Sequence, residues 1–286
     1  MKSLSICFFF SLIASSSLAQ LDIQNVSFWN HYGFINPSMS ALEYKQRAAI
    51  SYEHRYFTPN YGITNVFANY DTKIGKQSGV GICYRFLNDF FFYDSRAILN
   101  YNYQIELKED HTLSLGAGIG LENQVLHKEI YDETFTNVTA RTDLDFTAGI
   151  TYTNQKLVLG SGVTRIASTS LHVKSKKEPN YFYLWREQFY LHGAYPIAIA
   201  NNVELKPQFL IQTNFDFTSI NVNLLLTMKK KLWLGGSYHG NRTFSGTLGY
   251  DFKEKYRIGY TYQQYISSIN GYKNRSHEFT LGLLLH

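Results

Sequence analysis

Apolar and polar residues alternate with a period of two, over segments long enough to cross a bilayer, along most of this chain. In the stretch Val203–Thr213, Val203, Leu205, Pro207, Phe209 and Ile211 share one face, while Glu204, Lys206, Gln208 and Gln212 share the other. In 142–153, Leu144, Phe146, Ala148, Ile150 and Tyr152 oppose Asp143, Asp145, Thr147, Gly149 and Thr151. Tyr256, Ile258, Tyr260 and Tyr262 oppose Arg257, Gly259, Thr261 and Gln263. Strict alternation specifies a strand with one apolar and one polar face. Fourteen such segments begin near Arg47, Ile63, Gly79, Asp94, Thr112, Thr142, Leu157, Phe189, Val203, Thr218, Leu232, Phe244, Tyr256 and His277. Most run about nine to thirteen residues, which suits a tilted bilayer-crossing strand. Strands of soluble domains are shorter, about five to six residues.

The connections alternate as well. After every even strand the link is short and polar, as in Asn154-Gln155-Lys156, Lys229-Lys230-Lys231 and Lys253-Glu254-Lys255. The two long links, 125–141 and 168–188, both follow odd strands. Short periplasmic turns and longer outer loops are the pattern of outer-membrane barrels. In lipid an open sheet edge leaves a row of unmet backbone groups, so the sheet must close. The fold expected is all-β: a transmembrane antiparallel β-barrel of the outer membrane with about fourteen strands. The even count puts both termini in the periplasm. Apolar faces meet lipid, polar faces line the interior, and Gly116, Gly118 and Gly120 leave room there.

The N-terminus agrees with export. Lys2 precedes an apolar run at 4–13, and Ser17-Leu18-Ala19 is a cleavage site of small residues, so 1–19 reads as a signal peptide. Residues 20–46 lack regular alternation and form a periplasmic segment that either plugs the barrel or lies against its periplasmic end; the barrel takes 47–286. Cys7 falls in the signal, leaving Cys83 without a disulfide partner; it reads as a small strand residue. The 23 Tyr and 21 Phe, against 5 Pro and 3 Met, suit membrane strands. The net charge of +5 forms no basic face with stacking aromatics, which gives no support to nucleic-acid binding.

Chemistry is sparse. Glu53, Arg55, Arg85, Arg96, Glu106, Glu122, Asp143, Asp145, Glu204, Lys206, Arg257 and Glu278 fall on the interior face. They read as paired charges filling a narrow lumen, ahead of a selectivity filter or ligand site. The scattered histidines have no metal-ligand spacing, and no nucleophile motif occurs, so neither metal, cofactor nor catalytic residue is assigned. The loop aromatics Tyr181, Tyr183 and Trp185 follow a lysine run and have two readings: a surface partner site, or an aromatic girdle at the bilayer rim.

Two regions carry a resemblance. Near the start stands Phe28-Trp29-Asn30-His31-Tyr32-Gly33-Phe34-Ile35-Asn36-Pro37-Ser38. Later come Val203-Glu204-Leu205-Lys206-Pro207, Leu232-Trp233-Leu234-Gly235-Gly236-Ser237-Tyr238, Tyr256-Arg257-Ile258-Gly259-Tyr260-Thr261-Tyr262 and Ser276-His277-Glu278. In these the chain resembles the PorP/SprF family of the type IX secretion system of Bacteroidetes. Asn36 and Pro37 match the family's N-terminal motif; Ser38 replaces its alanine, and Ala41 stands near its glycine. The resemblance implies a barrel that is not an enzyme. Its partners would be the outer-membrane bilayer, secretion components and a large secreted cargo such as an adhesin, bound through the cargo's C-terminal domain for export or surface attachment. The departures leave a core component and a cargo-dedicated paralogue both open, with the second preferred. The rival function is a channel for small or hydrophobic solutes.

Overall fold

A computed structural model describes residues 27–58, 61–89, 92–126, 141–166, 187–240, 243–269 and 272–285. Its strands are β1 (Gln46–Thr58), β2 (Tyr61–Lys73), β3 (Ser78–Asn88), β4 (Phe92–Lys108), β5 (His111–Leu126), β6 (Arg141–Thr153), β7 (Val158–Thr164), β8 (Gln188–Ala194), β9 (Ile197–Ala200), β10 (Val203–Thr213), β11 (Thr218–Met228), β12 (Leu232–His239), β13 (Thr243–Phe252), β14 (Tyr256–Ile269) and β15 (Tyr272–Leu285). Each pairs antiparallel with its neighbour, and β1 pairs with β15 from Gln46↔Leu285 to Tyr56↔Arg275, which closes the barrel. Both β8 and β9 pair with β10. They are two pieces of one span, interrupted at Tyr195-Pro196, where proline has no N–H to give the ladder. Fifteen pieces thus make fourteen spans.

The strand starts match the alternation closely. The last strand is the exception: it begins at Tyr272, not near His277. Arg275 obscures the start of its pattern, because its charge stands on the outward side.

The connections after β2, β4, β6, β9, β11 and β13 are all short and lie at one end of the barrel, here the turn end; those after β1, β3, β5, β7, β10, β12 and β14 lie at the opposite, loop end, and the two longest of them fall largely outside the described residues. Two hairpins at the turn end have consecutive left-handed residues, Lys229-Lys230 (φ 51° and 54°) and Lys253-Glu254 (φ 52° and 54°). That backbone matches the twist of paired strands, although glycine or asparagine adopts it with less strain.

Burial follows the pleat. On β4, Asp94, Arg96, Ile98, Asn100 and Asn102 are buried inward, while Tyr93, Leu99, Tyr101 and Tyr103 are exposed outward. The exterior carries most of the large exposed apolar side chains, among them Ile82, Leu99 and Ile258. Ser27 to Ala41 lie inside the barrel, all buried, in three short 3₁₀ turns (Phe28–Asn30, Tyr32–Phe34, Pro37–Met39). Phe28, Trp29, Tyr32, Phe34, Ile35 and Met39 pack against the inward side chains Phe67, Cys83, Ile98, Tyr190 and Leu210. This is the apolar core of the molecule. Each aromatic so buried contributes about 1.5–3 kcal/mol.

Candidate functional site

The interior has two storeys. The turn-end storey is the seat of the internal segment. Its wall is lined by glycines because backbone, not side chain, must fit there. A Cβ on Gly116 would collide with the Ser38 nitrogen, one on Gly149 with Asn36 Oδ1, and one on Gly162 with the Ile35 carbonyl. The room expected at Gly116 is therefore filled by chain.

Asn36 anchors the seat. Its Nδ2 donates to Thr151 Oγ1 and to His192 Nε2, both at 2.9 Å. Its Oδ1 accepts from the Ser38 N–H at 3.0 Å and the Ser38 hydroxyl at 2.6 Å, which caps the turn that Pro37 begins. Ser38 departs from the family's alanine usefully: its hydroxyl also lies 2.6 Å from Thr151 Oγ1. Its carbonyl accepts from Asn102 Nδ2 at 3.0 Å and Ser114 Oγ at 2.8 Å. Ala41, near the expected glycine, has φ 54°, the left-handed region that glycine favours. His31 bridges Asn69 Oδ1 at 2.6 Å and Ser51 Oγ at 2.8 Å. Burial outweighs the hydrogen bond the ring gives to Asn69 and lowers the pKa of His31 to about 3, so the ring is neutral at pH 7.

The loop-end storey is ionic. Arg165 Nε and Nη2 bind Glu122 at 2.9 and 2.6 Å. Its backbone N–H donates to Asp145 Oδ1 at 2.8 Å, and Arg96 Nε donates to Asp145 Oδ2 at 2.5 Å. Arg85 Nη2 donates to Asp94 Oδ1 at 3.0 Å and lies 3.6 Å from Glu122. Three arginines here face three carboxylates. Elsewhere on the inner wall Arg55 pairs with Glu53, Arg257 with Asp251 and Arg47 with Asp71.

Ten of the twelve residues expected on the interior face are inside to some degree. Glu53, Arg85, Arg96, Glu122, Asp145 and Glu278 are buried, and Arg55, Asp143, Lys206 and Arg257 are half-buried. Glu106 and Glu204 keep the inward register but are exposed at the turn-end rim. Arg165 escaped the sequence reading because it follows the last residue of β7, with φ 60°, where alternation has stopped. The roles of Thr151, His192, Asn100 and Asn102 in the seat escaped because nothing in the sequence ties a strand residue to a segment 64 to 156 positions away. Asn36 and Pro37 lie at the centre of the seat. Tyr181, Tyr183 and Trp185 lie outside the described residues. Among the described residues no group of His, Cys, Asp or Glu is arranged to hold a metal ion.

Solved structures with the same architecture are outer-membrane proteins. The toluene transporter TbuX of Ralstonia pickettii aligns with a TM-score of 0.60 at 7% identity, covering 88% of this chain and 92% of that one. Omp33 of Acinetobacter baumannii aligns at 0.54 and 9% identity, covering 86% and 100%. The toluene transporter TodX of P. putida aligns at 0.55 and 9% identity, covering 89% and 94%. At such identities the likeness concerns the fold: a closed barrel of the outer membrane. No curated protein matches the chain. The family model for the type IX secretion system membrane protein PorP/SprF matches residues 17–283, nearly the whole chain. This protein therefore belongs to the PorP/SprF family of type IX secretion system membrane proteins, and it is an outer-membrane β-barrel.

Proposed function

We propose that this barrel is a non-enzymatic partner of a large type IX cargo, assisting its export or holding it at the cell surface by binding its C-terminal domain. In this reading 1–19 is removed as a signal peptide, both termini are periplasmic and the loop end faces outward. Secretion components meet the turn end, and the loop aromatics Tyr181, Tyr183 and Trp185 contribute to the cargo site. The observation that carries the proposal is the filled interior. A lumen occupied by Ser27–Ala41, with paired charges beyond it, suits a scaffold better than a conduit.

The test is a deletion strain together with co-purification of the tagged barrel from outer membranes in mild detergent. Loss of one large surface protein from the deletion strain, and its recovery with the tagged barrel, is the expected result. Normal display of every surface protein would end the proposal. The fold shared with the toluene transporters TbuX and TodX favours a second reading, a hydrophobic solute channel. Flux of an aromatic hydrocarbon into liposomes carrying the barrel, above protein-free liposomes, would put the channel first.

A further inference from the structure

The outer wall where the barrel closes changes character along its height. Outward residues of β14, β15, β1 and β2 stand directly opposite one another in rows. Nearer the turn end, Ile258, Leu281, Ile50 and Ala68 form an apolar row. The next row toward the loop end is Tyr260, Phe279, Tyr52 and Val66. Above it come Tyr262, His277, His54 and Thr64, then Gln264, Arg275, Tyr56 and Gly62. Apolar, aromatic, then polar and cationic is the order of a hydrocarbon core, its aromatic belt and the head-group layer.

The upper rows carry one arginine, two histidines and no carboxylate. Arg275 is exposed, and its guanidinium sits 5.7 Å from the Tyr56 ring centre. No ion pair engages it among the described residues, and no carboxylate occupies an outward position on these four strands. His277 Nδ1 is tied to the Tyr260 hydroxyl at 2.7 Å, and His54 Nδ1 to Thr64 Oγ1 at 3.0 Å. Both rings are thereby oriented, and neither Nε2 has a hydrogen-bonding partner among the described residues. At comparable height on the other walls the outward residues are uncharged: Ser95, Asn123, Thr142, Phe189 and Phe244. A lone cation facing lipid is costly near the bilayer midplane and favourable beside a phosphate.

We propose that this seam binds the phosphate of an acidic lipid in the leaflet at the loop end. Arg275 presents its planar fork to the phosphate oxygens, with the free Nε2 of His277 and His54 in the row below. Tyr52 and Phe279 line the first carbons of the acyl chains. With the loop end outward, that lipid is the phosphorylated glycolipid of the bacterial surface.

The experiment is native mass spectrometry of the purified full-length barrel in neutral detergent, titrated with bisphosphorylated lipid A, dephosphorylated lipid A or inorganic phosphate. The expected result is saturable binding of the phosphorylated lipid, with little binding of the other two. Arg275→Gln weakens it about tenfold, the worth of one charge-assisted hydrogen bond. Arg275→Lys recovers part of the loss, and His277→Gln lowers affinity less. A heat-modifiable gel band confirms that each variant is folded. Equal affinity for dephosphorylated lipid A, or for folded Arg275→Gln, overturns the proposal. So does tight binding of inorganic phosphate alone, which would make this an ion site and not a lipid site.

Discussion

The two storeys of the interior solve the same problem in opposite ways. In the turn-end storey, a segment of the chain itself fills the lumen, held mainly by apolar packing and by neutral hydrogen bonds around Asn36, Ser38 and His31, with one charged donor, Arg257, on Asn30. In the loop-end storey no such segment is present among the described residues, and side chains of neighbouring and next-but-one strands from β3 to β7 meet along the wall as ion pairs. Neutral packing loses stability gradually when one partner is removed. A buried ion pair loses it abruptly, because the remaining charge has left water without compensation. The lower storey thus fixes the plug, and the upper storey fixes the wall.

The largest effect is expected from Arg165→Ala. It leaves Glu122 buried without its bidentate partner and should cost about 3–5 kcal/mol. A lower temperature for loss of the heat-modifiable band measures this. An unchanged band would mean that the ion pairs do not hold the wall.

Asn36→Ala should separate the storeys. It removes the bonds to Thr151 and His192 and the cap on Ser38, at a cost of about 1–3 kcal/mol. The plug should become accessible to protease while the barrel band persists. If barrel and plug fail together, the two storeys form one cooperative unit.

Acid should act on the lower storey through His31. Its pKa falls from 6.5 to about 3 inside the barrel, so the unfolded chain binds the extra proton. The stabilisation is complete above pH 6.5 and is lost as pH falls toward 3, by up to about 1.4 kcal/mol per pH unit. Protease sensitivity of the plug should rise between pH 6 and 4, and His31→Gln should flatten that dependence.

The smallest effect lies outside both storeys. Lys230→Gly relieves a left-handed lysine in an exposed hairpin and should raise stability by about 0.5–1 kcal/mol, read as a higher denaturation midpoint, without altering plug access.

The membrane strands were legible because each reports its own environment. Leu144, Phe146 and Ile150 face out and Asp145, Thr147 and Thr151 face in, and a period of two states this locally. Pro196 interrupts a span in the same local way. The seat was less legible. Asn36 and Pro37 stood out by resemblance, and Gly116 by its place on the inner face, but no pattern connects them. Arg165 was hidden for a different reason: it lies beyond the regular strand, on a left-handed backbone that brings its N–H to Asp145.

By itself the sequence determined the number of spans, their faces and their order, because lipid outside and polar groups inside impose alternation on every strand. Only the tertiary structure decided what fills the barrel. Whether the N-terminal segment enters the lumen depends on the combined shape of inward glycines from separate strands and on polar partners from Ser51 to His192. Those residues come together only when the sheet closes, so their joint effect is a property of the closed barrel.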